Sequence, residues 1–192
     1  MQTGVLVLVV GPSGSGKDTL LDAARQVLHD DPRYRFARRV ITRPADAGGE
    51  AHESVTPEAF AARRLTLSWE AHGLRYGISN DIAADIASGR VVIANVSRAV
   101  VADAAARFPV RVVEVTASPD ILAARLAARG REDAAGRTQR LARRVDLPDG
   151  VAIESVLNDG TPADGAARFL AALSRAAESV SPAGTAHPAQ AG

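Results

Sequence analysis

Six apolar residues, Val5–Val10, run directly into Gly11-Pro12-Ser13-Gly14-Ser15-Gly16-Lys17-Asp18, and a helical pattern begins near Lys17. Strand, glycine turn, lysine, helix is an order that few folds accommodate. The spacing G-x-x-x-x-G-K is that of a phosphate-binding P-loop. Its glycines let backbone N–H groups turn inward around phosphate oxygens with no Cβ in the way. The helix that starts there adds its positive N-terminal end, and Lys17 supplies a point charge for the outer phosphates. Residues Gly11 to Thr19 are therefore the expected ATP-binding residues. The pattern asks for Ser or Thr after the lysine as a Mg²⁺ ligand, but this chain has Asp18 there and Thr19 next. An extra negative charge beside a triphosphate is costly unless a cation intervenes, so Asp18 is expected to act on Mg²⁺, with Thr19 as the alternative ligand.

The rest of the chain alternates in the same way. Beyond the first strand and a helix over 17–29, strands are expected at Arg38–Thr42, Leu65–Trp69, Val91–Val96, Val110–Thr116 and Glu154–Leu157. Helices are expected after Thr56-Pro57, over Asn80–Ser88 ending at Gly89, and over Arg98–Arg107. Further helices should follow Ser118-Pro119 as far as Arg129, then cover Arg137–Val145 and Thr161–Glu178. Pro44–Gly49 reads as a loop and Gly73–Tyr76 as a turn. Strands alternating with helices predict an α/β fold, a mainly parallel sheet covered by helices on both faces. No internal repeat is visible.

With 192 residues, one domain over 1–180 is expected, followed by a disordered tail over 181–192 rich in Ser, Pro, Ala, Gly and Gln. The chain is 46% hydrophobic but only 4% aromatic, so its core must be Ala, Val, Leu and Ile. A net charge of +1 does not suggest a nucleic-acid partner. The absence of cysteine excludes disulfides and thiolate metal sites and gives secretion no support. The apolar run is too short to span a membrane and no basic n-region precedes it, so a cytoplasmic protein without a membrane partner is expected.

Two further constellations accompany the loop. Arg125, Arg129, Arg131, Arg137, Arg140, Arg143 and Arg144 crowd together around Gly130 and Gly136, with only Glu132 and Asp133 as nearby acids. A solvated helix face is one reading. A lid over about 125–145 that brings planar, bidentate guanidinium groups onto phosphates is the other, and Arg129, Arg131 and Arg140 are its expected catalytic members together with Lys17. The stretch 38–79 carries Thr42-Arg43-Pro44, Gly49-Glu50 and Ser68-Trp69-Glu70-Ala71-His72-Gly73-Leu74-Arg75-Tyr76-Gly77-Ile78-Ser79. Its Arg, Tyr and Ser side chains can donate to a second phosphorylated molecule, although a surface β-meander would use the same residues.

The succession of GPSGSGK, Thr42-Arg43-Pro44, Gly49-Glu50, His72-Gly73, Tyr76-Gly77, Arg129-Gly130-Arg131 and Asn158-Asp159 resembles the guanylate kinase group of P-loop kinases over about residues 4–175. Within that group, Gly-Lys-Asp in the loop and Leu67-Ser68-Trp69-Glu70-Ala71-His72-Gly73-Leu74-Arg75-Tyr76-Gly77 are most similar to the ribose 1,5-bisphosphate phosphokinases. Guanylate kinases place a guanine-reading Glu where this chain has Leu67. They also carry a second Arg after Thr-Arg-Pro, where Ala45 and Asp46 stand here, and acids at the positions of Asn95 and Ser97. The phosphate-handling residues remain while the base-reading ones are missing.

The resemblance implies a guanylate kinase-like fold with an acceptor-binding insertion over about 35–80. It also implies transfer of the ATP γ-phosphoryl group to ribose 1,5-bisphosphate, which yields 5-phosphoribosyl 1-diphosphate in phosphonate breakdown. Arg39, Thr42, Arg43, Glu50, Arg75, Tyr76, Ser79 and Asn95 would hold this sugar phosphate, and Asn158 would join the ATP site. A nucleoside monophosphate kinase and a non-catalytic, guanylate kinase-like binding module are the alternatives, and both a monomer and a homodimer stay open. His52 and His72 read as surface residues, and Trp69 as core in preference to a stacking platform.

Overall fold

The run Val5–Val10 is wholly buried because both of its faces are covered. As strand β1 it lies in the middle of a five-stranded sheet, and its side chains alternate between two cores. Val5, Val7 and Val9 meet Leu20, Leu21 and Ala24 of one helix and Phe169 and Leu173 of another. Leu6, Leu8 and Val10 point the other way, toward Leu67, Ile78, Ile82 and Val101. The computed structural model describes residues 3–44, 52–128 and 147–178.

In chain order β1 is followed by α1 (Lys17–Leu28), β2 (Tyr34–Phe36), β3 (Arg39–Ile41) and β4 (His52–Ser54). Then come α2 (Pro57–Ala61), β5 (Leu65–Ala71), β6 (Leu74–Ser79), α3 (Ile82–Ala87) and β7 (Val91–Asn95). A 3₁₀ turn, Arg98–Val100, leads into α4 (Val101–Ala105). The chain continues through β8 (Val110–Thr116), α5 (Pro119–Ala128), β9 (Ala152–Leu157) and α6 (Pro162–Glu178). The main sheet has the order β2-β7-β1-β8-β9, and every neighbouring pair is parallel. The expected α/β architecture holds.

Residues 39–79 build a second, four-stranded sheet of order β4-β3-β6-β5. Its β3–β4 pair is parallel, and β6 is antiparallel to both β3 and β5. This sheet is not an outlying meander: Leu67 of β5 and Ile78 of β6 belong to the same apolar cluster as Leu6 and Leu8 of β1.

Local chemistry explains the element ends. Thr56 caps α2, its hydroxyl accepting from Ala59 N at 3.2 Å, with Pro57 at the first helical position. Thr161 and Asp164 bond reciprocally at the start of α6, Asp164 N to Thr161 Oγ1 at 3.2 Å and Thr161 N to Asp164 Oδ2 at 3.3 Å. The Thr161 hydroxyl, which donates to Asp164 Oδ2 at 2.7 Å, and then the Thr161 N–H hold the Asp164 carboxyl below the usual aspartate range.

Three expectations require correction. The turn placed at Gly73–Tyr76 is confined to His72-Gly73, whose φ values are +55° and +71°, and β6 starts at Leu74. The helix placed at Arg98–Arg107 is a 3₁₀ turn joined to a five-residue helix. Strands β2 and β4 were not anticipated. The helix expected at 137–145, the tail, most of the proposed lid and Glu50 lie outside the described residues. Among the described residues no helix is long and apolar enough to cross a membrane.

Candidate active site

The loop between β1 and α1 is shaped by three glycines with positive φ, Gly11, Gly14 and Gly16. At Gly16 the requirement is double. Its φ is +88°, and a Cβ there would lie 2.5 Å from Asn158 Nδ2. Gly16 also occupies the N-cap of α1 and supplies no side-chain hydrogen bond to the helix. The first N–H groups of this 12-residue helix are therefore not capped by a side chain of that residue and are the kind of donors that bind an anion. Ser15 is fully buried, and its hydroxyl has no partner among the described residues. Lys17 Nζ donates to the carbonyls of Gly11 at 2.7 Å and Pro12 at 3.0 Å, so its ammonium group lies over the loop.

The loop is braced from behind. Asn158, at the end of β9, is buried and donates from Nδ2 to Ser15 O at 2.8 Å. Arg125 of α5 reaches Gly14 O and Ser15 O, each at 3.5 Å. Beside the loop lies a cleft of about 310 Å³, lined by Gly16, Thr19, Leu20, Arg125, Ala128, Asn158 and Pro162.

Asp18 and Asn95 meet across the sheet top. Asn95 Nδ2 donates to Asp18 Oδ1 at 3.1 Å, and Asn95 is 4% exposed. In register β7 sets Asn95 beside Val9, so its side chain is on the α1 side of the main sheet. On the other face of the main sheet, Arg98 pairs with Glu114, which lies opposite Val10 on β8.

The second sheet presents one charged and aromatic face. Ile41, Tyr76 and Trp69 are directly opposite one another on β3, β6 and β5 and share that face with Arg39, Ile78 and Leu67. Trp69 stacks on Tyr76 with ring centroids 5.5 Å apart and planes at 8°. The Arg39 guanidinium carbon lies 5.7 Å from the Tyr76 centroid. Arg39 pairs in register with His52, whose Nδ1 is 3.3 Å from Arg43 Nη2. Two arginines, a tyrosine and a histidine are thus gathered at the inner side of this sheet.

Comparison with known proteins decides what this combination is. The chain is 53% identical over 174 residues to ribose 1,5-bisphosphate phosphokinase PhnN of Acidiphilium cryptum, covering 91% of this chain and 94% of that protein. The chain belongs to the ribose 1,5-bisphosphate phosphokinase family. It is also 51% identical over 179 residues to a bifunctional ribose 1,5-bisphosphokinase-thymidine phosphorylase of Azorhizobium caulinodans, of which it spans 26%. Residues 1–38 match the P-loop containing region of AAA domain family. Among solved structures, guanylate kinase from Anaplasma phagocytophilum shares the fold, with a TM-score of 0.65 at 16% identity over 92% of this chain and 87% of that one.

The structure divides the expected sugar-phosphate residues of this chain into groups. Arg39, Arg43 and Tyr76 lie together on the inner face. Thr42 is spent on the sheet itself: its Oγ1 accepts from Arg75 N at 2.9 Å, and its own N–H donates to Arg75 O at 3.0 Å. Arg75 alternates to the opposite face, where its guanidinium lies over Phe60 at 5.4 Å and 3.4 Å from Glu70 Oε1. Ser79 shares that outer side and lines a separate groove of about 280 Å³, where Arg35 pairs with Asp81 and Arg63 with Glu53. Asn95 stands with Asp18 and Asn158 with Ser15. Arg129, Arg131, Arg140 and Glu50 lie outside the described residues. The contact of His52 with Arg43 and the Arg98–Glu114 pair are not visible in the sequence. Nothing in the local pattern marks either of them, because their partners are distant in the chain.

Proposed function

We propose that this chain transfers the γ-phosphoryl group of ATP to the 1-phosphate of ribose 1,5-bisphosphate and releases 5-phosphoribosyl 1-diphosphate. The observation that carries the acceptor is the inner face of the second sheet. Arg39 and Arg43 supply cations there, while Leu67 is 1% exposed within the apolar core and offers no hydrogen bond. Tyr76 is covered by Trp69 from one neighbouring strand and by Arg39 from the other, which leaves it no open ring face for a base. A polyanion without a base suits such a surface, and a nucleotide base would lose its solvent partners there without gaining others.

The loop fits a nucleoside triphosphate. Positive-φ glycines, an N-terminus that Gly16 leaves without a side-chain cap, the unpartnered Ser15 hydroxyl and the Lys17 ammonium all belong to one short loop. The adjacent cleft is large enough for the nucleoside part. Asp18, directly or through water, or Thr19 would hold Mg²⁺, which when bound neutralises part of the phosphate charge.

The acceptor phosphate is itself the nucleophile, and it is largely ionised near neutral pH because its second pKa is about 6. No side chain has to take its proton. The protein's task is to bring two polyanions into line and offset their repulsion. Lys17 acts from the donor side, and Arg39 and Arg43 act from the acceptor side. Arg129, Arg131 and Arg140 are the cations we assign to closing over the transferred group.

An ATP-consumption assay with ribose 1,5-bisphosphate and GMP side by side tests the reading. Turnover of the sugar bisphosphate should exceed that of GMP by at least about a hundredfold in kcat/KM, the scale of losing several base hydrogen bonds. Equal or better use of GMP would return the chain to the nucleotide kinases.

A further inference from the structure

Trp69 is the only tryptophan of the chain. It stands in the middle of β5, half-buried, and packs against the apolar core that contains Leu67 and Ile78. Its ring lies flat on Tyr76, and Arg39 lies over the same tyrosine. The three side chains come from β5, β6 and β3, which are adjacent in that order, so Tyr76 is the middle layer of a stack. Tyr76 is 9% exposed, held between its two neighbours.

We propose that Trp69 is a positioning residue for the acceptor phosphate: it clamps Tyr76, and Tyr76 sets the plane in which Arg39 donates its hydrogen bonds. The inference rests on the acceptor assigned above. A guanidinium donates only in its own plane, so fixing that plane against a ring fixes the direction of its bonds. Arginine is also rich in rotamers, and ordering it on binding weakens affinity. The stack performs that ordering in advance, with the core behind Trp69 as the fixed end. A contact made equally in the bound substrate and the transition state acts on KM and leaves kcat alone.

Steady-state kinetics of the full chain, with ATP and ribose 1,5-bisphosphate varied separately, test this. Trp69→Ala should raise the KM for the sugar bisphosphate by roughly five- to tenfold, while kcat and the KM for ATP stay within about twofold. Trp69→Phe, which keeps a flat ring, should restore the acceptor KM. Because tryptophan emission reports one site only, titrating the wild type with ribose 1,5-bisphosphate in the absence of ATP should change it, and Arg39→Lys should weaken that response. An unmoved acceptor KM in Trp69→Ala, or an ATP KM that rises in step with it, overturns the proposal. If Trp69→Ala does not fold, the emission titration decides, and an unchanged signal overturns it equally. A wild type that does not turn over ribose 1,5-bisphosphate sinks the acceptor reading and this inference together. Turnover by the wild type with an indifferent Trp69→Ala sinks the stack alone.

Discussion

Asp18 and Asn95 are 77 positions apart and share one hydrogen bond of 3.1 Å at the entrance of the phosphate loop. Asn95 is buried, so its amide leaves Asp18 Oδ1 engaged and turns the carboxylate in a set direction. The helix N-terminus favours a carboxylate, but a triphosphate beside it makes that charge tolerable only where a cation lies between them. Asp18→Ala should therefore raise the Mg²⁺ concentration needed for half-maximal activity severalfold, and Asn95→Ala should do so less, since it removes the orientation and keeps the charge. A Mg²⁺ titration unchanged in Asp18→Ala but shifted in Thr19→Ala would move the metal to the hydroxyl. The loop was legible residue by residue, because a glycine spacing is a local requirement on backbone φ. The partners of its residues were not. Asn95 reads in sequence as a polar residue closing a strand, and only the parallel register of β7 on β1 brings it to the α1 side.

Helix α6 contributes to the site through an absence. Gly165 sits in its first turns, where alanine would be preferred by about 1 kcal/mol on helix propensity alone. A Cβ at that position would lie 2.3 Å from Asn158 Oδ1 and 3.1 Å from Leu20 Cδ2. The side chain it would displace is the one whose amide holds Ser15 O. Overpacking of this kind costs about 1–3 kcal/mol, which outweighs the propensity gain. Gly165→Ala should thus lower the thermal midpoint and raise the KM for ATP, with the KM of the acceptor little changed. A stabilised variant with normal ATP affinity would show that Asn158 does not brace the loop. Elements were legible where one rule governs them, as with Pro57 after a capping Thr56. They were less so where two rules compete. His72-Gly73 and Gly77 bracket a segment that looks like a turn, yet the glycine within β6 is a strand residue. A Cβ at Gly77 would approach Leu65 Cδ1 to 2.6 Å. Strand β2 has only three residues, none fully buried, and is recruited by its pairing with β7.

At the scale of the molecule, the two sheets are joined by a shared core. Leu67 and Ile78 of the second sheet, Ile82 of α3, and Leu6 and Leu8 of β1 form one continuous apolar cluster. The sequence pattern disclosed the parallel α/β layer, because continuous apolar runs such as Val5–Val10 and Val91–Ala94 have few other uses. It did not disclose that residues 39–79 close into a separate sheet, since strand order is a long-range property with no local mark. The join makes a prediction. Leu67 is among the largest fully buried side chains, and it lies in the same strand as Trp69, two positions away on the same face. Leu67→Ala removes three buried carbons and leaves a cavity between the sheets, a change that costs about 2–5 kcal/mol in well-packed cores. If the shared cluster binds the sheets into one cooperative unit, the variant should unfold in a single transition at lower denaturant, with tertiary and secondary probes coincident. Two separated transitions, the first confined to the aromatic signal of Trp69, would mean that the acceptor sheet opens alone. In that case Arg39 and Arg43 would be held by the strands around them and owe little to the main sheet.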